Sequence, residues 1–311
     1  MSLINFTNSS SYSIYGGGTG PEFENQKQAL IKGTDIIICT PGRLLAHLKF
    51  NYFDTSGITH FILDEADRML DMGFYDDIMK ISKALPKKIQ TLLFSATMPP
   101  KIKKLAHQLL KNPESISLAI SKPAKGIKQS AYMCHDNQKV KLVRDILRKK
   151  RGDISHVLIF ASSIKSVREI NKTLNKSGMK ASEMHSGLNQ EEREKTIRDF
   201  KSKKIKILVA TDILSRGIDI KGIEIVINYE VPHDAEDYIH RIGRTARADR
   251  TGEAITLINY KQVKNFKDIE KLIEKEIVKI DLPKGFEKAP PYEVQIKKKK
   301  RWKNFKKRNI K

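Results

Sequence analysis

The sequence has few of the features that identify secreted, metal-binding or membrane proteins. Its two cysteines, Cys39 and Cys134, lie far apart along the chain, which excludes a disulfide framework or a zinc knuckle and fits a reducing cytosol. No run of about 18 apolar residues is present, so we expect no transmembrane helix. Residues 1–13 are polar and lack the basic start and apolar stretch of a secretion signal. These absences predict a cytoplasmic protein without membrane contacts.

Acidic residues are scarce relative to basic ones. The chain has 59 Lys and Arg residues against 36 Asp and Glu, a formal net charge of +23. Such an excess favours a polyanionic partner, most often nucleic acid, although some soluble proteins are simply rich in lysine. Residues 284–311 contain 12 basic and 2 acidic residues, so we predict a disordered basic tail at residues 281–311. Its Trp302 and Phe305 are candidates for stacking on unpaired bases, and a solvated, non-specific tail is the alternative.

Apolar runs in the rest of the chain are short and alternate with amphipathic stretches. This alternation predicts an α/β fold, with parallel sheets and helices on both faces. The predicted strands are 35–39, 61–63, 91–94, 157–160, 207–210, 224–227 and 254–258. The predicted helices include 139–150, 166–176, 189–202 and 262–279. The series is interrupted at residues 121–128, which contain Pro and Gly and are predicted to link two domains, 1–120 and 129–280.

Small, polar or acidic residues follow most of the predicted strands. The carboxyl ends of parallel strands lie at one edge of a sheet, and open α/β sheets bind ligands there. Each predicted domain is therefore expected to have an edge that binds ligands. The segments are Thr40-Pro41-Gly42-Arg43, Asp64-Glu65 and Ser95-Ala96-Thr97 in the first domain, and Ala161-Ser162-Ser163 and Thr211-Asp212 in the second.

Two of the motifs indicate phosphate chemistry. In Asp64-Glu65-Ala66-Asp67, an acid at a strand end can hold Mg²⁺, and a neighbouring acid can position the water that attacks a phosphoryl group. An acidic helix N-terminus, stabilised by the helix dipole, is the alternative. Residues 240–247 contain one histidine and three arginines. Arginine binds phosphate in a planar, bidentate geometry, so this cluster predicts contact with a γ-phosphate or with an RNA backbone.

Together these motifs resemble those of the DEAD-box RNA helicases, and they are most similar to the RhlE-like branch. The matching motifs occur in family order from Tyr15-Gly16-Gly17 to Arg247, about three quarters of the chain. The resemblance implies two RecA-like domains in tandem. It also implies an activity that couples ATP binding and hydrolysis to RNA duplex unwinding or remodelling, with ATP and Mg²⁺ as cofactors.

The resemblance implies a role for individual residues. The residues implied in catalysis and its coupling to strand separation are Asp64, Glu65, Ser95, Thr97, His240, Arg244 and Arg247. Among them, Asp64 would hold Mg²⁺ through water, Glu65 would orient the hydrolytic water, and the two arginines would act on the γ-phosphate. The residues implied in nucleotide binding are Asp64, Glu65, Gly217, Asp219, Arg244 and Arg247. The residues implied in RNA-backbone binding are Gly17, Thr40, Gly42, Arg43, Gln190, Arg193 and Thr211.

Several of these residues also have structural explanations. Gly16-Gly17 can serve a tight turn, and Thr40-Pro41-Gly42 can be a simple loop. A helix cap is the alternative for Ser95 or Thr97, and a solvated helix face is the alternative for Gln190 and Arg193. The histidines that match no motif, and that we predict to be structural, are His107 and His185.

The chain departs from the family pattern in two places. Ala246 stands where the family usually has glycine, a change that a right-handed backbone tolerates. The adenine-reading motif, the Gly-x-x-x-x-Gly-Lys-Ser/Thr loop and the first RNA-binding motif do not occur in the 311 residues. That loop supplies N–H donors and a lysine to the nucleotide phosphates, and losing two such contacts costs about 3–6 kcal/mol. We therefore expect an N-terminally truncated form that is deficient in ATP turnover.

The same departure predicts an incomplete first domain. The strand that leads into the phosphate-binding loop is central in the family's first sheet, so its neighbours are expected to have open edges and exposed apolar faces. We expect this domain to be poorly stable alone and residues 126–279 to form a complete domain. The alternative function is a catalytically inactive module that binds RNA or a protein partner. The expected partners are RNA and ribonucleoprotein or RNA-degradation proteins, and the chain is expected to be a monomer.

Overall fold

The computed structural model of the chain describes residues 9–17, 20–117, 126–150, 156–212, 222–245 and 251–293. The chain divides into two compact units, Met1–Leu118 and Ala119–Lys311. Within the described residues every strand pairing is parallel, and strands alternate with helices along the chain. The predicted α/β fold is therefore confirmed.

The first unit forms two separate two-stranded sheets in its described residues. β1 pairs with β2 and β3 pairs with β4, and no ladder joins the two pairs within these residues. In chain order the elements are β1 (Ser11–Ile14), α1 (Gly20–Lys32), β2 (Ile36–Cys39), α2 (Pro41–Leu48), β3 (His60–Leu63), α3 (Ala66–Asp71), α4 (Tyr75–Ala84), β4 (Gln90–Leu93) and α5 (Pro100–Leu109).

Among the described residues of the first unit, the strands are covered on one face only. Helices α3, α4 and α5 pack on the end of β3, and the buried members of this cluster are Leu63, Ala66, Ile78, Ile102 and Leu105. Successive side chains of a strand point to opposite faces. The uncovered faces expose Ile36 and Ile38 in β2 and Ile62 in β3. The strands of the first unit therefore present large apolar side chains that no other described residue covers.

The second unit is built on one seven-stranded parallel sheet. The strand order is β11-β5-β10-β9-β6-β8-β7. In chain order its elements are β5 (Ile127–Met133), α6 (Lys139–Lys149), β6 (Val157–Phe160), α7 (Ile164–Lys176), β7 (Ala181–Met184), α8 (Gln190–Lys201), β8 (Ile207–Ala210), β9 (Ile225–Asn228), α9 (Ala235–Ile242), β10 (Gly252–Ile258), α10 (Val263–Leu272) and β11 (Val278–Lys279). Because β5 begins at Ile127, it starts inside the segment predicted as a linker; residues 121–125 of that segment lie outside the described part.

Helices cover both faces of this sheet. Val157 and Ile159 of β6 pack with α6 and α7, whereas Leu158 and Phe160 pack with α8 on the opposite face. Strands β6, β8 and β9 are buried along their whole length, as is typical of central parallel strands between two helical layers. The described core of the second unit therefore lies on both faces of its sheet.

The helix predicted at residues 262–279 is wrong in its second half. α10 ends at Leu272, and Glu274 then adopts a left-handed backbone with φ of 53°. The Ile277 N–H donates to Oε1 of Glu270 at 2.8 Å, which fixes this turn. Val278–Lys279 forms β11 beside β5 instead of a helical turn.

Residues 281–293, which the sequence assigned to a disordered tail, pack on the second unit and are called here the C-terminal strap. Leu282 and Phe286 pack on the α6-α7 cluster, and Ala289 and Tyr292 pack on the cluster that contains α10. The strap also accepts side-chain hydrogen bonds at its main-chain oxygens from Lys141, Gln138 and His135. The prediction that the disordered tail begins at residue 281 is therefore wrong, because apolar side chains pack on the unit up to Tyr292. The tail after residue 293 lies outside the described residues.

Candidate functional site

The turn after β1 and the start of α2 lie at one sheet edge. Thr40 N–H donates to the Ile14 carbonyl at 3.0 Å, which extends the β1-β2 ladder beyond the strands. Gly17 has φ of 91°, a left-handed conformation that glycine adopts without strain. Helix α2 begins at Pro41, and Thr40 makes no side-chain capping bond to it. Because the first N–H groups of a helix lack intrahelical partners, those of Gly42 and Arg43 are available to an anion.

Arg43 is held against β1 and α1. Its Nε donates to the Tyr15 carbonyl at 3.1 Å and to Oε1 of Gln26 at 2.9 Å, and its guanidinium lies 4.9 Å from the centre of the Phe23 ring. Its Nη2 is buried without a hydrogen-bond partner. The same Oε1 of Gln26 lies 3.0 Å from Nε2 of His47. Arg43 therefore fixes the turn that leads to Gly17.

Asp64 and Glu65 stand where β3 gives way to α3. Asp64 is exposed, and its Oδ1 accepts the Glu65 N–H at 2.9 Å. Glu65 adopts the left-handed conformation, with φ of 50° and ψ of 48°, and its side chain does not cap α3. This geometry disfavours the alternative that Asp64-Glu65 is only an acidic helix N-terminus. A left-handed glutamate costs about 1–3 kcal/mol, and such strain is concentrated at functional sites.

Asp67 joins the acidic segment to the segment after β4. Its Oδ2 accepts the Thr97 N–H at 3.2 Å and the Thr97 hydroxyl at 3.1 Å, and its side chain is nearly buried. The Ser95 hydroxyl donates to the Thr97 carbonyl at 2.7 Å. The N-cap of α5 is Pro99, so neither Ser95 nor Thr97 caps that helix. The structure brings together the predicted residues of both segments, and Asp67 is a functional candidate that the sequence reading did not single out.

Two of the three predicted RNA-contacting residues of the second unit, Arg193 and Thr211, lie beside one turn, residues 185–187. Arg193 donates from Nη2 to the Ser186 carbonyl at 2.8 Å, while its Nε is buried without a partner. Thr211 N–H donates to the Met184 carbonyl at 3.1 Å, and the Thr211 hydroxyl is buried without a partner. Gln190 donates to Oε1 of Glu194 at 3.0 Å. A solvated helix face does not describe Arg193, because it is bonded to the turn.

The two histidines predicted to be structural differ in their surroundings. His185 is fully buried, and its Nδ1 accepts the Gly187 N–H at 3.1 Å. This bond shapes the 185–187 turn, so His185 has a structural role beside the site. His107 is exposed in the last turn of α5.

Helix α9 presents the cluster of arginines and histidine. His240 lies in its last turn, and Arg244 follows with its N–H donating to the Arg241 carbonyl at 3.2 Å. Arg241 is buried and binds Asp212, the residue after Thr211, through two hydrogen bonds of 2.7 Å. The predicted nucleotide-binding residues that lie outside the described part of the chain are Gly217, Asp219 and Arg247.

The described residues contain neither a metal-binding cluster nor a membrane-spanning helix. Among them, no group of three or more His, Cys, Asp or Glu side chains is arranged to hold a metal ion. No helix in this part of the chain has the length and apolar character needed to cross a membrane. A Mg²⁺ site at Asp64 would thus use one protein carboxylate together with other ligands, as magnesium sites often do.

Family models match both units. Residues 2–105 match the DEAD/DEAH box helicase model, and residues 138–249 match the helicase conserved C-terminal domain.

Curated relatives match across both units as well. The ATP-dependent RNA helicase DeaD of Buchnera aphidicola subsp. Baizongia pistaciae is 36% identical over 273 residues, which cover 88% of this chain and 44% of the relative. The DEAD-box ATP-dependent RNA helicase RhpA of Helicobacter pylori (strain ATCC 700392 / 26695) is 38% identical over 87% of this chain and 54% of its own length. The chain thus spans about half the length of the curated relatives it matches.

A solved structure shows the same architecture. S. cerevisiae Dbp5 bound to RNA and ADP BeF3 is 30% identical, with a TM-score of 0.78 over 89% of this chain and 71% of that chain. This similarity, with the two family matches, confirms the predicted pair of RecA-like domains.

Proposed function

Because this chain belongs to the DEAD-box RNA helicase family, we propose that it acts in the ATP-dependent unwinding or remodelling of RNA duplexes. The observation that best supports this proposal is the connection of Asp64-Glu65 to Ser95-Ala96-Thr97. Asp67, two residues after Glu65, accepts both the N–H and the hydroxyl of Thr97. A shift of the acidic pair on hydrolysis would therefore move the Ser-Ala-Thr segment with it.

Asp64 fits the role of the magnesium-binding residue. It is exposed at the carboxyl end of β3, and only its Oδ1 is hydrogen-bonded within the described residues. Bound Mg²⁺ would neutralise charge that develops on the nucleotide phosphates. The left-handed backbone of Glu65 fixes where its carboxylate leaves the chain, which suits a residue that orients a water molecule.

For the nucleotide itself we propose contacts from the second unit. Arg244 and Arg247 would bind the γ-phosphate, because a guanidinium offers a planar fork that matches phosphate oxygens. Gly217 and Asp219 would contact the remaining part of the nucleotide, with Asp219 at the ribose. Support for these assignments comes from the motif resemblance, and for Arg244 also from its place directly after α9.

For RNA we propose backbone contacts from both units. The first unit contributes the open N–H groups at the start of α2 and the turn at Gly17, which Arg43 holds in place. The second unit contributes donors around the 185–187 turn. The RNA-contacting residues are Gly17, Thr40, Gly42, Arg43, Gln190, Arg193 and Thr211. Contacts to phosphates give affinity without sequence preference, which also accounts for the net charge of +23.

We further propose that the 311-residue polypeptide turns over ATP at a near-background rate. Its sequence contains no Gly-x-x-x-x-Gly-Lys-Ser/Thr loop, the element that supplies N–H donors and a lysine to the phosphates. The same observation favours a second candidate function, a module that binds RNA or a protein partner without hydrolysing ATP. We also propose that the chain belongs to the RhlE-like branch and acts in the cytoplasm as a monomer. Its proposed protein partners are ribonucleoprotein or RNA-degradation proteins.

RNA-stimulated ATPase activity of the 311-residue chain, measured beside its RNA affinity, separates the two candidates. We expect RNA binding with turnover near background, which is the deficiency proposed for this polypeptide. Turnover that RNA does not stimulate at all would favour the binding module. Turnover well above background that Glu65→Gln abolishes would show an active ATPase and refute the proposed deficiency. A chain that neither binds RNA nor hydrolyses ATP would refute the proposed function itself.

A further inference from the structure

The 185–187 turn at the carboxyl end of β7 is contacted by residues from several elements. Arg193 reaches its Ser186 carbonyl from α8, and Thr211 lies beside it because β8 continues its pairing with β7 through the Met184 carbonyl. The turn is compact, since a Cβ built on Gly187 would lie 3.1 Å from Nδ1 of His185. A side chain on Gly187 would therefore crowd the His185 ring.

Helix α7 places a further arginine at this turn. Asn171 donates to Oε2 of Glu183 at 3.4 Å, and Asn175 donates to the Ala181 carbonyl at 2.9 Å, so this side of α7 runs along β7. Arg168 lies one turn closer to the N-terminus of the helix, on the same side. A Cβ built on Gly187 would lie 3.8 Å from Nη2 of Arg168. The guanidinium of Arg168 is therefore beside the turn.

The two arginines at the turn differ in burial and in their hydrogen bonds to the protein. Arg193 is half-buried and bonded to the protein through Ser186. Arg168 is exposed and has no ion pair or hydrogen bond with any residue that the structure describes. Glu183, the acid on the adjacent strand, is engaged by Asn171 and lies 3.5 Å from Nε2 of His185. An arginine has five N–H donors, and those of Arg168 are available to a ligand at the sheet edge.

We propose that Arg168 binds a backbone phosphate of RNA held at the 185–187 turn, beside the contacts of Arg193 and Thr211. This inference rests on the proposed RNA binding of the second unit and extends it with a residue that no helicase motif in the sequence includes. The planar fork of the guanidinium suits two phosphate oxygens, whereas the point charge of lysine does not. Arg168 thus adds a positive charge and free N–H donors at the sheet edge where one Arg193 donor is already bonded to Ser186.

The experiment compares four single variants of the 311-residue chain with the unchanged chain. Binding of a fluorescent oligouridylate of about 10 nucleotides is followed by anisotropy over a series of salt concentrations. Arg168→Gln is expected to weaken binding about 10-fold to 150-fold, as for the loss of one charge-assisted contact. It should also lower the salt slope by about 0.7, the value for one phosphate on a single strand. Arg168→Lys should retain the slope and bind with intermediate affinity.

Two variants serve as reference and control. Arg193→Gln removes a proposed RNA contact at the same turn, and Lys176→Gln removes an exposed charge about 12 Å further along α7. Lys176→Gln is expected to bind like the unchanged chain. Because the basic tail is a second candidate for RNA binding, crosslinking of an oligonucleotide that contains 4-thiouridine is mapped in parallel. Crosslinks within α7 should disappear in Arg168→Gln and persist in Lys176→Gln.

Each outcome has one meaning. If Arg193→Gln weakens binding and Arg168→Gln does not, RNA binding stands and the role of Arg168 is overturned. Weaker binding of Arg168→Gln with an unchanged salt slope would mean that Arg168 only braces the turn, which also overturns the proposal. If the unchanged chain fails to bind the oligonucleotide, the proposed RNA binding fails and the Arg168 contact is overturned with it.

Discussion

Arg241 and Asp212 bind each other through two hydrogen bonds of 2.7 Å, from Nε to Oδ1 and from Nη2 to Oδ2. Arg241 is 3% exposed, and it also donates to Oδ1 of Asn228 and to the Glu230 carbonyl. One guanidinium therefore joins the ends of β8 and β9 to α9. The sequence grouped Arg241 with phosphate-binding arginines, but the structure makes it the residue that positions the helix of His240 and Arg244.

Replacing Arg241 should destabilise the second unit. Arg241→Ala removes the guanidinium that binds the half-buried Asp212 carboxylate, and we expect a loss of about 2–4 kcal/mol in the free energy of unfolding. Arg241→Lys should lose less, because it keeps the charge and loses the bidentate geometry. Urea unfolding followed by circular dichroism measures both. Arg198→Ala, an exposed change on α8, should stay within about 0.5 kcal/mol of the unchanged chain; equal effects of the two alanine variants would contradict the assignment.

Removing the Asp67 carboxylate should release the segment after β4. Asp67→Ala leaves the Thr97 N–H and hydroxyl without this acceptor, at a cost of about 1–3 kcal/mol to the first unit. Thr97→Val loses one of the two bonds and should cost less. Hydrogen exchange at the Thr97 amide is the direct measurement, and exchange should accelerate in Asp67→Ala. Asp71→Ala, an exposed change on the same helix, should leave this amide protected. If the amide is equally protected in both variants, the link through Asp67 is not what holds Thr97.

Glu270 and Glu230 should change stability with opposite dependence on pH. Burial opposes ionisation of Glu270, but hydrogen bonds from Lys279 and Tyr292 outweigh it and lower its pKa below 4.5. Its ionised form therefore stabilises the second unit above pH 4.5, and this contribution is lost as pH falls through the lowered folded pKa. Burial raises the pKa of Glu230 despite the Ser162 N–H and the nearby cations. The native state then holds that proton more tightly, so stability falls as pH rises from 4.5 through the raised pKa.

Two glutamine variants separate these contributions. Glu270→Gln should lower the urea midpoint at neutral pH and flatten its decline below pH 4.5. Glu230→Gln should remove the decline above pH 4.5, since its amide oxygen can still accept the Ser162 N–H. The measurement is the urea midpoint as a function of pH for the three proteins. Identical profiles above pH 4.5 for Glu230→Gln and the unchanged chain would show that Glu230 ionises normally.

The exposed strand faces of the first unit should promote self-association. Ile38 and Ile62 are each 57% exposed, and large exposed apolar side chains on open strands favour pairing with other chains. We expect the 311-residue chain to be a monomer when dilute, as proposed, and to self-associate only as its concentration rises. The double variant Ile38→Thr/Ile62→Thr should reduce this association and keep the preference for strands. Analytical ultracentrifugation measures it, and a chain that stays monomeric at high concentration would contradict the prediction.

Truncation after Glu293 should weaken RNA binding and reduce its dependence on salt. Residues 294–311 include ten Lys and Arg residues, and each phosphate contact that is lost lowers the salt slope by about 0.7 on single strands. The cut belongs after Glu293, because a cut at Pro283 would also remove Phe286 and Tyr292 from the packing of the second unit. Unchanged affinity after truncation would show that the tail makes no net contribution.

Hydrophobic runs allowed the central strands to be predicted, but not the less apolar ones. Val157–Phe160 and Ile207–Ala210 have the predicted bounds because both faces of these strands are covered and every side chain is apolar. Strands β1, β5 and β7 were missed, since Ser11–Ile14, Ile127–Met133 and Ala181–Met184 mix polar and apolar residues. Their strand structure depends on pairing with distant neighbours, which a local pattern does not contain.

The site shows the same division between local and distant information. The position of Asp64-Glu65 at a strand end follows from the run of apolar residues before it. The roles of Asp67, Arg241 and Gln26 depend on partners 30, 29 and 17 residues away, so they become visible only in three dimensions. Arg168 belongs to no motif, and only its position beside Gly187, in the turn after β7, makes it a candidate for RNA binding.

The parallel arrangement of every strand in the second sheet leaves its amino edge available for fluorescent labelling. The proposed contacts lie around the carboxyl ends of β7 and β8, whereas residues 202–204 precede β8 and are exposed. Burial raises the pKa of both native thiols, Cys39 and Cys134, to about 11, so few are thiolates at neutral pH. A dye coupled to the Lys204→Cys variant would therefore label one defined position. It would report RNA binding without blocking the proposed contact sites.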